Sequence, residues 1–445
     1  MRYLPHTQEE ISAMLQVTGN SSLEDLFATI PDTCRMSDQW EQLPEALSEW
    51  ELDSHIQALA DTMEVDQRAT VLIGAGSYHH HIPATVKALM SRSEFLTAYT
   101  PYQPEMAQGT LQGIFEYQTL SARLLGMDVV NASMYDGASA LAEAMLMGLR
   151  VAKKKRRVAI SQAVHPHYRE VVRAYLRPTP YELVELPHGT DGRTDLSSLA
   201  EIEDLAAVAI QSPNFFGVIE DLGTAGEEIH GQGALFITAF SEPLAYGLLK
   251  NPGACGADIV CGEGQSFGLS RSFGGPGLGM FGCRQPFTRN LPGRLVGETR
   301  DLDGKRGYVL TLATREQHIR RDKATSNICS NQGICAMTAG MYMASLGGTG
   351  LQELARLNYD KSHYLMAALQ ERGARCCFSA PFFNEFVVEF PTEFKAAHQR
   401  LLAKNIVAGI DLGRWYPEMS GRYLFGVTET VSREVMDTIA NEVQS

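Results

Sequence analysis

The 445-residue chain is short of several things, and each shortage removes a class of function. Its eight cysteines include no Cys-x-x-Cys pair, and the spacings Cys255/Cys261, Cys329/Cys335 and adjacent Cys376/Cys377 fit neither a zinc site nor a disulfide framework. Buried free thiols in a reducing compartment are the reading that remains, with no metal site. No run approaches the ~18–20 apolar residues of a membrane span. The start, Met1-Arg-Tyr-Leu-Pro-His6, has no apolar core of a signal peptide. A cytoplasmic protein without membrane association is expected. Positive charge is scarce as well: 38 Lys and Arg against 52 Asp and Glu give a formal net charge of −14, which argues against general attraction to nucleic acid. The one basic run, Lys153-Lys-Lys-Arg-Arg157, lies between a helical and a strand pattern, where it fits a solvated helix end. Internal repeats and low-complexity tracts are missing.

What is present reads as an α/β protein. Hydrophobic content of 44% and charged content of 20% are ordinary globular values, and the length predicts two or three packed units. Residues 1–65 read as a helical segment around proline breaks, with Thr7-Gln-Glu-Glu10 and Ser22-Leu-Glu-Asp25 resembling capping boxes. Apolar strand runs at 69–73, 158–161, 181–186, 206–210, 234–240 and 258–261 alternate with segments of helical length, among them 109–125 and the Ala-rich 137–152. That alternation predicts a mostly parallel central sheet flanked by helices, in a large domain spanning 66–330. Helices near 331–346 and 348–371, parted by Gly347-Gly348, lead into strand, helix, strand and helix at 384–390, 393–404, 422–427 and 433–443. Residues 331–445 are therefore expected to hold connecting helices and a smaller α+β domain, with Ser432 capping its last helix.

Five stretches carry candidate chemistry. The strand at 257–261 runs into a glycine-rich loop ending in Gly274-Gly-Pro-Gly-Leu-Gly-Met-Phe-Gly282. In pyridoxal-phosphate (PLP) enzymes built on such a sheet, a lysine just after this strand forms the Schiff base. Here Gln265 and Ser266 stand in that place, so no catalytic residue of that kind is present. Tyr135-Asp136-Gly137-Ala138-Ser139 opens the Ala-rich helix, and backbone amides, a glycine and a hydroxyl at a helix N-terminus suit a phosphate cradle as well as a simple cap. Gly74-Ala-Gly-Ser-Tyr78-His-His80-His81 follows the first strand, where Tyr78 and His80 are placed to face a ligand. Tyr99-Thr-Pro-Tyr102-Gln-Pro-Glu105 is a proline-stiffened segment suited to binding, or an ordinary connection. Residues 312–327 read as a basic helix ending in Thr325, Ser326 and Asn327, with arginines suited to carboxylate or phosphate groups.

Taken together, Thr100-Pro-Tyr-Gln-Pro-Glu105, Tyr135-Asp-Gly-Ala-Ser139, Asn214-Phe-Phe-Gly-Val-Ile-Glu-Asp221, Gly262-Glu-Gly-Gln-Ser-Phe-Gly268, Leu291-Pro-Gly-Arg-Leu-Val-Gly297 and the stretch 307–327 resemble a known family. It is glycine dehydrogenase (decarboxylating), the P-protein of the glycine cleavage system, and more narrowly the alpha half found where that enzyme is split. The resemblance implies the type I PLP-transferase fold and an oxidoreductase that decarboxylates glycine and passes the aminomethyl group to the lipoyl arm of the H-protein. It implies an α2β2 assembly with PLP bound covalently by the beta subunit. The strand at 234–240 also ends without the aspartate that pairs with the pyridinium nitrogen, so the alpha chain alone is expected to be inert. By the same resemblance, Tyr99, Tyr102, Glu105, Thr325, Ser326 and Asn327 are placed to complete the partner's active site, and Asp136, Gly137, Ala138 and Ser139 form a vestigial cradle. Two alternatives stay open: a non-catalytic scaffold or regulatory subunit of PLP-enzyme fold, and a self-sufficient aminotransferase or lyase using Lys250.

Overall fold

The apolar runs assemble into a seven-stranded sheet. The computed structural model describes residues 5–35, 44–62, 69–97 and 99–443, and the chain divides into two compact units, Met1–Asp66 and Gln67–Ser445. The second unit contains strands β1 (Thr70–Leu72), β2 (Val129–Val130), β3 (Arg157–Ser161), β4 (Glu182–Leu186), β5 (Leu205–Gln211), β6 (Leu235–Phe240), β7 (Ile259–Glu263) and β8 (Gly279–Cys283). The large sheet has the order β2-β8-β7-β6-β5-β3-β4. Strands β7, β6, β5, β3 and β4 run parallel, while β8 is antiparallel to both β7 and β2.

Every residue of β5 is buried, which is why it reads as a continuous apolar run instead of an alternating one. Its odd and even positions nonetheless face different cores. Val208 and Ile210 join Phe236, Val260, Ile229 and Ala336 on one face. Ala207 and Ala209 join Ile160, Ile237, Leu141 and Met145 of the Gly137–Val151 helix on the other. That helix is buried nearly all round, as a central helix under a sheet must be.

Beyond the sheet, β9 (Leu295–Arg300) and β10 (Arg306–Thr311) form a hairpin. Strands β11 (Arg375–Cys376), β12 (Glu385–Glu389), β14 (Ile410–Asp411) and β15 (Arg422–Gly426) make a four-stranded antiparallel sheet, and β13 is Ile406–Ala408. Phe386, Phe425, Leu365 and Ile439 fill the core under that smaller sheet. The Gly333–Gln370 helix is broken at Gly347 (φ 63°, ψ −177°), where the paired glycines predict a gap. Ser432 caps the Arg433–Glu442 helix by accepting from the Val435 amide at 3.2 Å.

The first unit consists of the Gln8–Thr18 and Glu49–Ala60 helices with short 3-10 turns, and none of its described residues is buried. Thr7 and Glu10 form the expected capping box. Ser22 and Asp25 exchange reciprocal hydrogen bonds at 3.0 and 3.3 Å around a 3-10 turn.

Several sequence expectations need correction. Strand β1 does not join the large sheet but pairs in parallel with β13, Thr70 opposite Ile406, and the Ala75 amide just after it donates to Glu385 Oε1. Residues 312–327 are not a continuous helix. Leu312 and Arg321 take positive φ (56° and 53°), leaving only the four-residue Gln317–Arg320 helix between 3-10 turns. Tertiary bonds such as Arg315 Nη2 to the Gly293 carbonyl (2.9 Å) override helical propensity there. The cysteines are free but not uniformly buried, since Cys34 and Cys329 are exposed. Among the described residues, no helix is long and apolar enough to cross a membrane.

Candidate functional site

The carboxyl ends of β3, β5, β6 and β7 form the edge at which α/β proteins bind ligands. In this chain that edge is lined by buried polar residues, including Ser161, His165, Gln211, Ser241, Glu242 and Glu263. Each is held by the protein itself, and three of them bond to one another. The His165 amide donates to Gln211 Oε1 (2.9 Å), and Gln211 Nε2 donates to Ser241 Oγ (3.3 Å). His165 Nδ1 accepts from the His167 amide (3.2 Å), which makes Nε2 the protonated nitrogen and the donor to the Ala75 carbonyl at 3.0 Å. Burial holds His165 neutral, pulling its pKa down to about 4.

The segment after β1 folds over this edge. Tyr78 and His80 are both buried, with their side-chain polar atoms bonded to the protein. Tyr78 donates its hydroxyl to Glu385 Oε2 (2.8 Å), and the Ala75 amide donates to Glu385 Oε1 (2.7 Å). Burial raises Glu385 to a pKa of about 8 against those two bonds. His80 lies between two carboxylates, Glu242 at 2.9 Å and Glu429 at 2.8 Å. Burial opposes its charge, but the two glutamates more than reverse that and push it up to about 9.

Gln265 and Ser266 follow β7 as the sequence places them. Gln265 accepts from the Tyr78 amide (3.1 Å) and donates to the Leu269 carbonyl (2.6 Å). Ser266 is 1% exposed, with no hydrogen-bond partner for its hydroxyl among the described residues. Lys250 is exposed and precedes the amino end of β7, opposite the Gln265 end.

Asp136 caps the Gly137–Val151 helix, accepting from the Ser139 amide at 2.7 Å, with Ala138 half-buried between them. The Gly137 amide, the donor a phosphate needs, is instead given to Glu263 Oε2 at 3.0 Å, and Glu263 Oε1 accepts from Leu278 at 2.7 Å. A Cβ on Gly137 would lie 2.5 Å from the Tyr168 hydroxyl and 2.7 Å from the Glu263 nitrogen. Burial raises the Glu263 pKa despite its two amide donors. A PLP group does not fit this chain's own edge: there is no lysine after β7, and a carboxylate occupies the cradle.

The other predicted residues take no part in that hydrogen-bonded edge, although the segment after Asn327 touches residues just before the cradle, the Cys329 amide donating to the Tyr135 hydroxyl at 2.9 Å. Tyr99 and Tyr102 are 81% and 54% exposed, and Glu105 and Asn327 are exposed as well. Tyr102 is tied down from below by Arg294, whose Nη2 donates to its hydroxyl. Thr325 and Ser326 line a small cavity with Gly293, Arg294, Arg315 and Ser330. Its volume of about 10 Å³ leaves room for one water at most. The structure thus brings Tyr102, Thr325 and Ser326 around one arginine, while it records no bond from Tyr99, Glu105 or Asn327 to that group.

A family model for the glycine cleavage system P-protein matches residues 1–443. The chain belongs to the P-protein family. A probable glycine dehydrogenase (decarboxylating) subunit 1 from Desulfotalea psychrophila is 64% identical over 444 residues, covering 100% of this chain and 98% of the relative. Its counterpart from Geobacillus kaustophilus is 50% identical over 444 residues, covering 99% and 98%. Among solved structures, a crystal structure of glycine decarboxylase (P-protein) of the glycine cleavage system in inhibitor-bound form superposes with TM-score 0.89 at 45% identity, covering 100% and 99%. An alanine–glyoxylate aminotransferase from Nostoc sp. (TM-score 0.62, 15% identity, 92% of this chain and 99% of that one) shares the fold.

Within this P-protein chain, Glu263 has a faint sequence signal: a lone acid closing an apolar strand before a glycine. Glu385, Glu429 and Arg294 have none, because their partners lie 68 to 349 positions away or sit in an unrelated loop.

Proposed function

We propose that the chain is the alpha subunit of glycine dehydrogenase (decarboxylating) in the glycine cleavage system, and that it acts with a beta subunit that binds PLP covalently. The observation that carries this reading is the closed edge: Gln265 and Ser266 after β7, and the Glu263 carboxylate on the Gly137 amide. The name subunit 1 carried by the relatives supports a second subunit, and an α2β2 assembly is the stoichiometry proposed.

When bound, PLP supplies an electron sink for the pair left on the glycine carbon as CO2 departs. The lipoyl disulfide of the H-protein would be the acceptor of the aminomethyl group. This chain contributes groups held from outside the reacting centre. Tyr99, Tyr102 and Glu105 on the proline-stiffened loop, and Thr325, Ser326 and Asn327 before the long helix, close the partner's site, exclude water and present hydroxyl, carboxylate and amide groups to it.

The test is an absorbance spectrum of the purified chain with PLP, alone and then with the beta subunit. A band near ~420 nm that survives dialysis and is lost on borohydride reduction reports a lysine–PLP bond. It is expected only with the partner present, together with CO2 release from glycine. The same band from the lone chain would return Lys250 to candidacy and overturn the assignment.

A further inference from the structure

We infer that Arg294 is a positioning residue for the reaction, a single buried guanidinium that holds the exposed Tyr102 loop and the Thr325–Ser330 segment in register. This rests on the reading that those two segments complete the partner's site.

Arg294 lies in the Leu291-Pro-Gly-Arg-Leu-Val-Gly297 motif, which no element of the proposed chemistry otherwise uses. The backbone around it is fastened on both sides. Asn131 Nδ2 donates to the Pro292 carbonyl (3.0 Å), Arg315 Nη2 to the Gly293 carbonyl (2.9 Å), and the Ala132 amide to the Arg294 carbonyl (2.8 Å). The side chain is almost fully buried, at 3% exposure. Its Nη1 donates to Thr100 Oγ1 (3.2 Å) and to Ser330 Oγ (3.1 Å), and its Nη2 donates to the Tyr102 hydroxyl. Glu316 Oε2, 3.8 Å from Nε, supplies the counter-charge, and the guanidinium carbon stands 5.0 Å from the centre of the Tyr102 ring.

The planar fork is what this geometry needs. Two loops almost 200 positions from the arginine and about 36 positions after it are reached by separate N–H groups of one rigid head. Because Arg294 donates to the Tyr102 oxygen, the phenolic proton is left free to be donated away from the protein, on the exposed side of the ring. The basic fork therefore sets both the place and the donor direction of Tyr102. A lysine keeps the charge but offers a point ammonium, which cannot serve the three acceptors in the same geometry.

The experiment uses the full chain assembled with its beta subunit and compares R294K, Y102F and the double variant. R294K is expected to assemble and retain PLP as the unmodified enzyme does, to lower kcat for CO2 release from glycine about 10- to 100-fold, and to move KM less than about threefold, as expected when reacting groups are misplaced. Y102F is expected to fall similarly, with the double variant no worse than the weaker single one. In hydrogen exchange of the free chain, the amides of 99–106 should exchange faster in R294K. Normal turnover in R294K beside a slow Y102F would overturn the positioning role alone. Normal turnover in both would instead overturn the loop's place in the site. Loss of assembly in R294K would make the residue structural and also overturn the inference. Thr100→Val cuts one hold while leaving the arginine in place; it should lower kcat about tenfold with assembly intact, and unchanged turnover would count against the inference.

Discussion

Replacing His80 with Gln removes the cation between two buried carboxylates and gives a pH-dependent stability difference that can be worked out in advance. His80 is 6% exposed and hydrogen-bonded to Glu242 and Glu429, so it joins the segment after β1, the end of β6 and the loop after β15. Its pKa rises from an ordinary 6.5 to about 9. At ~1.4 kcal/mol per pH unit, that gap is worth about 3 kcal/mol. Glu429, held down to about 2, reports the same pair and is not added to it. Since the folded pKa is the raised one, the contribution is fully present below pH 6.5 and is lost as pH climbs from 6.5 to 9. Urea unfolding of the full chain should therefore show H80Q less stable than wild type by about 3 kcal/mol at pH 6, shrinking towards zero by pH 10. That size agrees with the ~3–5 kcal/mol lost when one partner of a buried pair is removed. Glu385, raised to about 8, destabilises both proteins equally as pH rises and cancels in the difference. A wild-type-minus-variant gap that stays constant from pH 6 to 10, or a His80 imidazole that titrates near 6.5 by NMR, would refute the reasoning.

Glu263→Ala removes the acceptor for the buried Gly137 and Leu278 amides, each worth ~1–3 kcal/mol when left unsatisfied. A clear drop in melting temperature is expected, with partial recovery in Glu263→Gln; an unchanged melt would mean the carboxylate is not their acceptor. Gly217→Ala places a Cβ 1.9 Å from the Glu385 carbonyl oxygen at a φ of +80°, so a loss of more than ~2 kcal/mol is expected in the urea midpoint. A wild-type midpoint in Gly217→Ala would show that the two backbones separate freely.

The central architecture was legible because its signals are local. The apolar run at 206–210 becomes β5, the Ala-rich stretch becomes the Gly137–Val151 helix, and paired glycines mark the break at Gly347. Strand β8 was not legible, since Gly279-Met-Phe-Gly282 reads as the tail of a glycine-rich loop until the antiparallel partners β7 and β2 take up its backbone. The basic stretch at 312–327 failed as a helix for the opposite reason: Arg315 is spent on the distant Gly293 carbonyl, and Leu312 and Arg321 take positive φ. The absent lysine at Gln265 and Ser266 could be seen in the chain alone, because it is a matter of residue identity at one place after one strand. That the cradle is filled from inside by Glu263, that Tyr78 and His80 are locks under Glu385 and Glu429, and that Arg294 gathers Thr100, Tyr102 and Ser330 were decided only by folding. The sequence by itself determined which chemistry this chain lacks, since that follows from side chains missing at a recognisable position. Tertiary structure decided what stands in its place, since hydrogen bonds and buried charges between residues up to 349 positions apart exist only once the backbone has brought them within 3 Å.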